Sequence, residues 1–204
     1  MAWDGRSMTV EFPPCLGYIR QRVQCVTPVW APGLCAPGNT LDLEGRKVVK
    51  TEGPENWRCV STETGFHGKG KYLFAFAIED RKTCSVVFGV RTRDFSYATD
   101  SVFPGRTAEG WSYHSGGETF HNDRGSRYAE PAKTGDIIGV LLDLDVCTLS
   151  FLKNGRLLGV AQTLPANTEF FPCVATEAHG QSIVTLSIED DVCSEPEPCP
   201  ARSG

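Results

Sequence analysis

The chain has no long apolar run. The apolar run 137–142 has the length of a strand, far short of the roughly 20 residues a membrane-crossing helix needs. Positive charge is in deficit: 20 Lys and Arg against 25 Asp and Glu leave a net charge of −5, which excludes a general attraction to nucleic acid or anionic lipid. Apolar periodicity of the helical kind never lasts beyond a turn or two, so a helical bundle is excluded. No repeat of fixed period is present, which disfavours a propeller or solenoid. The opening MAWDGRSMTVEFPPC has no basic start followed by an apolar stretch, so no secretory signal is expected. Catalytic signatures are missing as well. There is no G-x-S-x-G, no cysteine set in a protease pattern, and Gly68-Lys69-Gly70-Lys71 lacks the spacing and following helix of a phosphate loop. No cofactor and no enzymatic activity are expected.

What is present points to strands. Glycine (21), proline (13) and phenylalanine (11) are abundant, and with turn signals at short spacing they indicate an all-β chain. A length of 204 residues with 40% hydrophobic content supports one sizeable core. Nine cysteines are many, but the number is odd and the spacing irregular. Cys59, Cys84 and Cys173 sit in apolar strand-like runs, where a reduced thiol behaves as a small hydrophobe. The expectation is a reduced, intracellular protein of the cytoplasm or nucleus.

The stretch 134–161, TGDIIGVLLDLDVCTLSFLKNGRLLGVA, reads as three consecutive antiparallel strands. Asn154-Gly155 supplies the positive φ angles of a two-residue type I′ turn. Leu149 and Phe151 share one face, and Gly159 is read as leaving room for a close neighbour. Upstream, Leu41 to Val49 forms a hairpin around Glu44-Gly45, and Phe74, Phe76 and Ile78 line one face of a longer strand. Residues 91–107 form a long loop. Domain limits follow: 1–39 an N-terminal arm with a short helix or strand near residues 16–26, 40–190 the β domain, and 191–204 an acidic, proline-containing tail.

Large aromatics at Trp57, Trp111 and Phe151 are expected to be core. Of the four histidines, His114 and His121 are placed to face each other across a hairpin, too few for a metal site. Asp143 and Asp145 fall at a strand end, where aspartate bonds nearby backbone more often than it performs acid–base chemistry.

Six blocks in order resemble the SPRY domain, the core of the larger B30.2 module. They are Trp57-Arg58; Gly70 with the strand from Tyr72 to Ile78; Phe88-Gly89-Val90; Trp111 to Tyr113 with Phe120-His121; Gly135-Asp136-Ile137-Ile138-Gly139 through Asn154-Gly155; and Phe171-Pro172. Cys147 departs from the pattern, where relatives often carry glycine. The resemblance implies a bent antiparallel β-sandwich of two sheets with lectin-like topology. It implies a monomeric, non-enzymatic domain that binds a short peptide segment of another protein through loops at one end. The setting implied is a larger intracellular assembly such as a ubiquitin ligase, whose machinery would lie in other regions or subunits. A lectin-like glycan binder and a structural insert in a scaffold or channel are the alternatives.

In relatives that adjoin a SOCS box, three loops hold the peptide. Carried onto this chain, they are the loop before Trp57 with Asn56, the long loop with Tyr97, and the last loop with Thr176, Glu177 and His179. Those relatives carry an apolar residue and a tryptophan in the last loop, so their ligand is not transferred. The residues themselves add Arg91, Arg93 and Phe103. An arginine-rich rim beside Tyr97 and Phe103 suits an acidic or amide-rich peptide, since arginine offers paired donors and tyrosine a stacking face.

Overall fold

The computed structural model describes residues 23–97 and 101–188, and among them there is no helix. Fifteen strands form two antiparallel sheets packed face to face. The first sheet runs β13 (Arg156–Thr163), β12 (Thr148–Lys153), β11 (Ile137–Asp143), β6 (Lys71–Asp80), β15 (Ser182–Leu186), β4 (Lys47–Lys50) and β3 (Asn39–Asp42); β1 (Val23–Cys25) joins β6 in parallel. The second runs β10 (Arg124–Arg127), β9 (Glu118–His121), β8 (Gly110–His114), β7 (Val87–Arg91), β14 (Phe171–Thr176), β5 (Arg58–Thr62) and β2 (Trp30–Cys35). The all-β sandwich expected from the sequence is present.

Strand alternation decides where the core lies. On β6, Phe74, Phe76 and Ile78 point between the sheets and meet Phe88 and Val90 of β7, Val140 and Leu142 of β11, and Phe151 of β12. The other side of β6 carries Leu73, Ala75 and Ala77 in a second cluster with Leu152 and Val184. Trp111 and Phe151 are core residues, as expected, and Trp57 is buried in a third cluster described below. Residues 23–39 contribute to both sheets. Trp30, only 1% exposed, stacks on Phe76 at 5.6 Å, so this stretch helps to build the core. The rest of the expected arm, 1–22, and the tail from 189 on lie outside the described residues.

The turn chemistry is as read. Asn154 and Gly155 have φ of 50° and 79°. Cys147 sits at φ 55°, in the left-handed region, which accounts for the glycine that the family pattern often has there. Gly159 requires a correction. Nothing lies within 4 Å of where its Cβ would be, and its φ of +100° is what calls for glycine. It sits where the β12–β13 register is irregular, so it serves a bulge rather than a close contact. Asp143 accepts from the amides of Asp145 and Val146 and pairs with Lys71, while Asp145 accepts from Gly70 N. Both aspartates hold the turn, as expected of carboxylates at a strand end.

Candidate functional site

The loops expected to carry recognition rest on buried polar side chains. Lys50 is fully buried at the end of β4, in phase with Val48 on the inward face. Its ammonium donates to the carbonyls of Glu52 at 2.6 Å and Pro54 at 3.2 Å, which folds the polar loop 51–56 back over it. Burial, and secondarily Arg58, lowers the Lys50 pKa from its ordinary range. Gln181, also fully buried, makes four bonds. Its Oε1 accepts from Glu177 N at 2.6 Å and Ala178 N at 3.0 Å, and its Nε2 donates to Arg81 O at 2.7 Å and Ser85 O at 3.0 Å. The backbone joins the two side chains: Lys50 N donates to Gln181 O, and Gly180 N donates to Lys50 O. Asn39 completes the frame by donating to Arg58 O at 3.1 Å and accepting from Thr176 Oγ1 at 2.8 Å. Thr176 is fully buried and belongs to this frame.

The segment after β7 is not a free loop at one end of the sandwich. Phe95, Val102 and Phe103 fold onto the outer face of the second sheet and form a third cluster with Trp57, Cys59, Cys173 and Ala175. Phe103, 6% exposed, lies 5.2 Å from Trp57 and 5.5 Å from Phe120, ring to ring. A stacking platform for ligand is therefore not what Phe103 offers.

Arg91 is a second correction. It is 3% exposed, with Nε donating to Ser61 Oγ at 3.0 Å, a terminal nitrogen to Thr92 O at 3.0 Å, and its guanidinium over Phe171 at 4.2 Å. Its planar donors are satisfied internally, and its role is to fix the base of the segment. Arg93 is exposed, but it pairs with Glu169 at 2.7 Å and lies over Phe171 at 5.3 Å. Tyr97 is half-buried, edge-on to Phe95 at 5.3 Å, with Arg91 5.5 Å from its ring. Its hydroxyl is buried without a well-formed hydrogen bond, and burial pushes the phenol pKa well above its ordinary range.

Where the 51–56 and 177–180 loops meet, the accessible side chains are acidic, while the exposed Arg93 lies at the other end of β14 beside Phe171. Glu52, Glu55 and His179 are exposed, and Asn56 and Glu177 are half-buried. With its amide turned so that both neighbours are satisfied, Asn56 donates to Pro54 O at 3.0 Å and accepts from the Arg58 guanidinium at 3.2 Å. Burial, then the charge of Glu55, raises the Glu177 carboxyl pKa, a sign that negative charge accumulates there. Lys50, Gln181 and Asn39 were not singled out from the sequence. The signal was available for Lys50 alone, because in KVVK it occupies the same face as Val48.

The histidines do not face one another. His114 pairs with Glu118, and His121 pairs with Trp111 at the other end of the hairpin, stacked on its ring at 4.5 Å. His114 packs on Trp57 at 5.3 Å and Phe120 at 5.6 Å. Burial lowers its pKa from 6.5, outweighing Glu118, which raises it. The folded state therefore prefers the neutral ring. His114 contributes stability that is fully present above its unfolded pKa of about 6.5 and is lost as pH falls through its lower folded value. In urea titrations at pH 8.0 and 5.0, His114→Phe is expected to lose less stability between the two than the parent; an equal loss would sink the assignment.

Trp30, Trp57 and Trp111 are all buried, so none provides the exposed tryptophan platform of a glycan site. Cys35, Cys59, Cys84, Cys147 and Cys173 are free thiols. Among the described residues, no helix is long and apolar enough to cross a membrane.

Comparison with known proteins gives a consistent result. The family model of the SPRY domain matches residues 71–188, more than half of the chain. The ATP-dependent RNA helicase Ddx1 of Drosophila melanogaster is 32% identical over 73% of this chain and 20% of its own length. The SPRY domain-containing SOCS box protein 3 of Xenopus tropicalis is 35% identical over 40% of this chain and 23% of its own. The chain thus spans under a quarter of the length of these curated relatives. The crystal structure of the SPRY domain of human HERC1 superposes with a TM-score of 0.66 at 21% identity, covering 78% of this chain and 98% of that one. At that identity the likeness speaks to the fold.

Proposed function

The chain belongs to the SPRY domain family, whose members are protein-interaction modules, and on that footing we propose that it binds a short extended segment of a partner protein without catalysing a reaction. The contact face is formed by Glu52, Glu55, Asn56, Tyr97, Glu177 and His179; Arg93, paired with Glu169 beside Phe171, lies at the other end of β14 and outside it. Arg91, Phe103 and Thr176 act beneath it, holding the loops in place. The observation that carries this reading is the buried frame of Asn39, Lys50 and Gln181, which fixes two polar loops whose tips remain open to solvent. Loops held in one conformation lose little entropy on binding.

Glu52, Glu55 and Glu177 make the face acidic, so the favoured segment presents lysine, arginine or amide donors. The domain is monomeric and extends from β1 through β15, the last strand of the first sheet, with the segments on either side as flanks. Its host is a larger assembly of the cytoplasm or nucleus, a ubiquitin ligase among the possible settings, consistent with the SOCS box named in one relative.

The test is selection from a displayed peptide library followed by measured affinities. Enriched peptides are expected to be rich in basic or amide residues. A Glu55→Lys, Glu177→Lys variant should bind them at least tenfold more weakly, about 1.4 kcal/mol, with its melting temperature within about 2 °C of the parent, as expected for surface changes. Peptides that bound both proteins equally would place recognition on another surface.

A further inference from the structure

The two sheets end side by side. β10 is the outermost strand of the second sheet and β13 of the first. Tyr128, just past β10, ties them by donating its hydroxyl to Gly159 O at 2.6 Å, and the Tyr128 hydroxyl oxygen accepts from Phe151 N at 3.3 Å. Between the edges runs a trough of about 500 Å³ lined by Arg127, Tyr128, Glu130, Arg156, Leu157 and Leu158. A second hollow of about 320 Å³ shares Glu130, Arg156 and Leu158 with it and continues to Lys153 and Asn154.

Charge in this trough runs against the molecule's own balance of −5. Arg127 and Arg156 are exposed, and Arg124 is exposed at the start of the same edge. The only carboxylate lining the trough is Glu130, 3.8 Å from Arg127, with both side chains mostly in solvent, a geometry that holds little energy. Arg156 has no ion pair among the described residues. Lys153, by contrast, is committed to Pro131 O at 2.7 Å and Asp136 at 3.3 Å. The floor is apolar at Leu158, half-buried against the core between the sheets, while Leu157 packs on the outer face of the first sheet and Val160, farther along β13, is 63% exposed. Charged residues on an edge strand commonly serve to block unwanted pairing. Here two arginines converge on one concave site with an apolar floor, which blocking alone does not require.

We propose that this trough binds an extended acidic segment of a partner protein, lying along β13 as an added strand with its carboxylates on Arg127 and Arg156. The outer edge of β13 offers backbone groups to such a strand, and the arginine fork matches a carboxylate in paired bonds. A single-stranded nucleic acid, the other polyanion, would want a free aromatic face for its bases. The Tyr128 ring is already packed against Tyr113 and Phe151, each at 6.1 Å. This site is separate from the acidic loop face proposed above, and the two stand or fall independently.

The test uses the full chain and a fluorescein-labelled decapeptide of alternating Glu and Val, with alternating Lys and Val and a uridine decamer as comparison probes. Only the acidic peptide is expected to bind, and its amide shifts are expected to map to 127–130 and 156–160. Arg127→Glu, Arg156→Glu is expected to weaken binding at least tenfold with an unchanged melting temperature, whereas Glu55→Lys, Glu177→Lys leaves it intact. Absence of binding at millimolar peptide, or affinity untouched by the arginine reversal, would overturn the proposal. Tighter binding of the uridine decamer would overturn it in favour of nucleic acid. If the peptide bound only after Glu189, Asp190, Asp191, Glu195 and Glu197 were changed to serine, the trough would belong to the chain's own terminal segment, which also overturns it.

Discussion

Gly89→Ala is expected to destabilise the protein strongly. A Cβ at this position would stand 2.0 Å from the carbonyl oxygen of Trp111 and 2.9 Å from Ser112 Cα. Both are backbone atoms of β8, directly paired with β7, so no side-chain rotation relieves the clash. The two strands must separate near the middle of the second sheet, and Phe88 and Val90, which flank Gly89, are fully buried in the sandwich core. Overpacking of this kind costs about 3 kcal/mol or more. For a chain of this size that is a melting shift of roughly 6–12 °C, with insoluble expression as the extreme. Gly33→Ala is the matched control: nothing lies within 4 Å of its Cβ position, and its φ is not positive. It should stay within about 0.5 kcal/mol of the parent. If Gly89→Ala melted within 2 °C of the parent, the close approach of these strands would be wrong.

Gln181→Leu carries the second large effect. Leucine fills similar volume but leaves the amides of Glu177 and Ala178 and the carbonyls of Arg81 and Ser85 without their partner, in a place water does not reach. Each buried group left unpaired costs about 1–3 kcal/mol; with partial relaxation of the 177–180 loop, a loss of about 3–5 kcal/mol follows. Chemical denaturation gives the number. Amide exchange gives the location, with protection lost at 177–178 while β6 and β11 keep theirs. Glu177→Gln, on the same loop but outward from the frame, should change stability by less than about 0.5 kcal/mol. A Gln181→Leu protein as stable as the parent would mean that the four bonds are replaced by solvent, and the frame would have no energetic meaning.

Much of the fold was legible because the chain alternates cleanly. Phe74, Phe76 and Ile78 could only share a face, and Asn154-Gly155 could only be a tight hairpin. Legibility ended where identity and environment part company. Arg91 carries a charge, and a charge in an Arg- and Asp-rich stretch reads as surface; only the structure brings Ser61, Thr92 and Phe171 around it. Phe103 lies in a segment of polar composition that nonetheless folds against a sheet face, because Trp57, Cys59 and Ala175 make the outside of that sheet apolar. Gln181 is a common polar residue between two strands, and nothing in its local sequence says that four backbone groups from two separate loops converge on it. A count of arginines along the chain likewise says nothing of their direction or place: Arg91 points inward, and Arg93, though exposed, sits at the other end of β14 from Glu177.

The frame of Asn39, Lys50 and Gln181 has a consequence for how such a domain changes its clientele. Conformation is set by residues that a ligand never meets, while chemistry is displayed by tips such as Glu55 and His179 that hold nothing up. Shape and vocabulary are therefore written by different residues. Tip substitutions should combine additively in stability, so a lineage or an engineer can rewrite what the face reads one position at a time, while the scaffold that presents it stays the same.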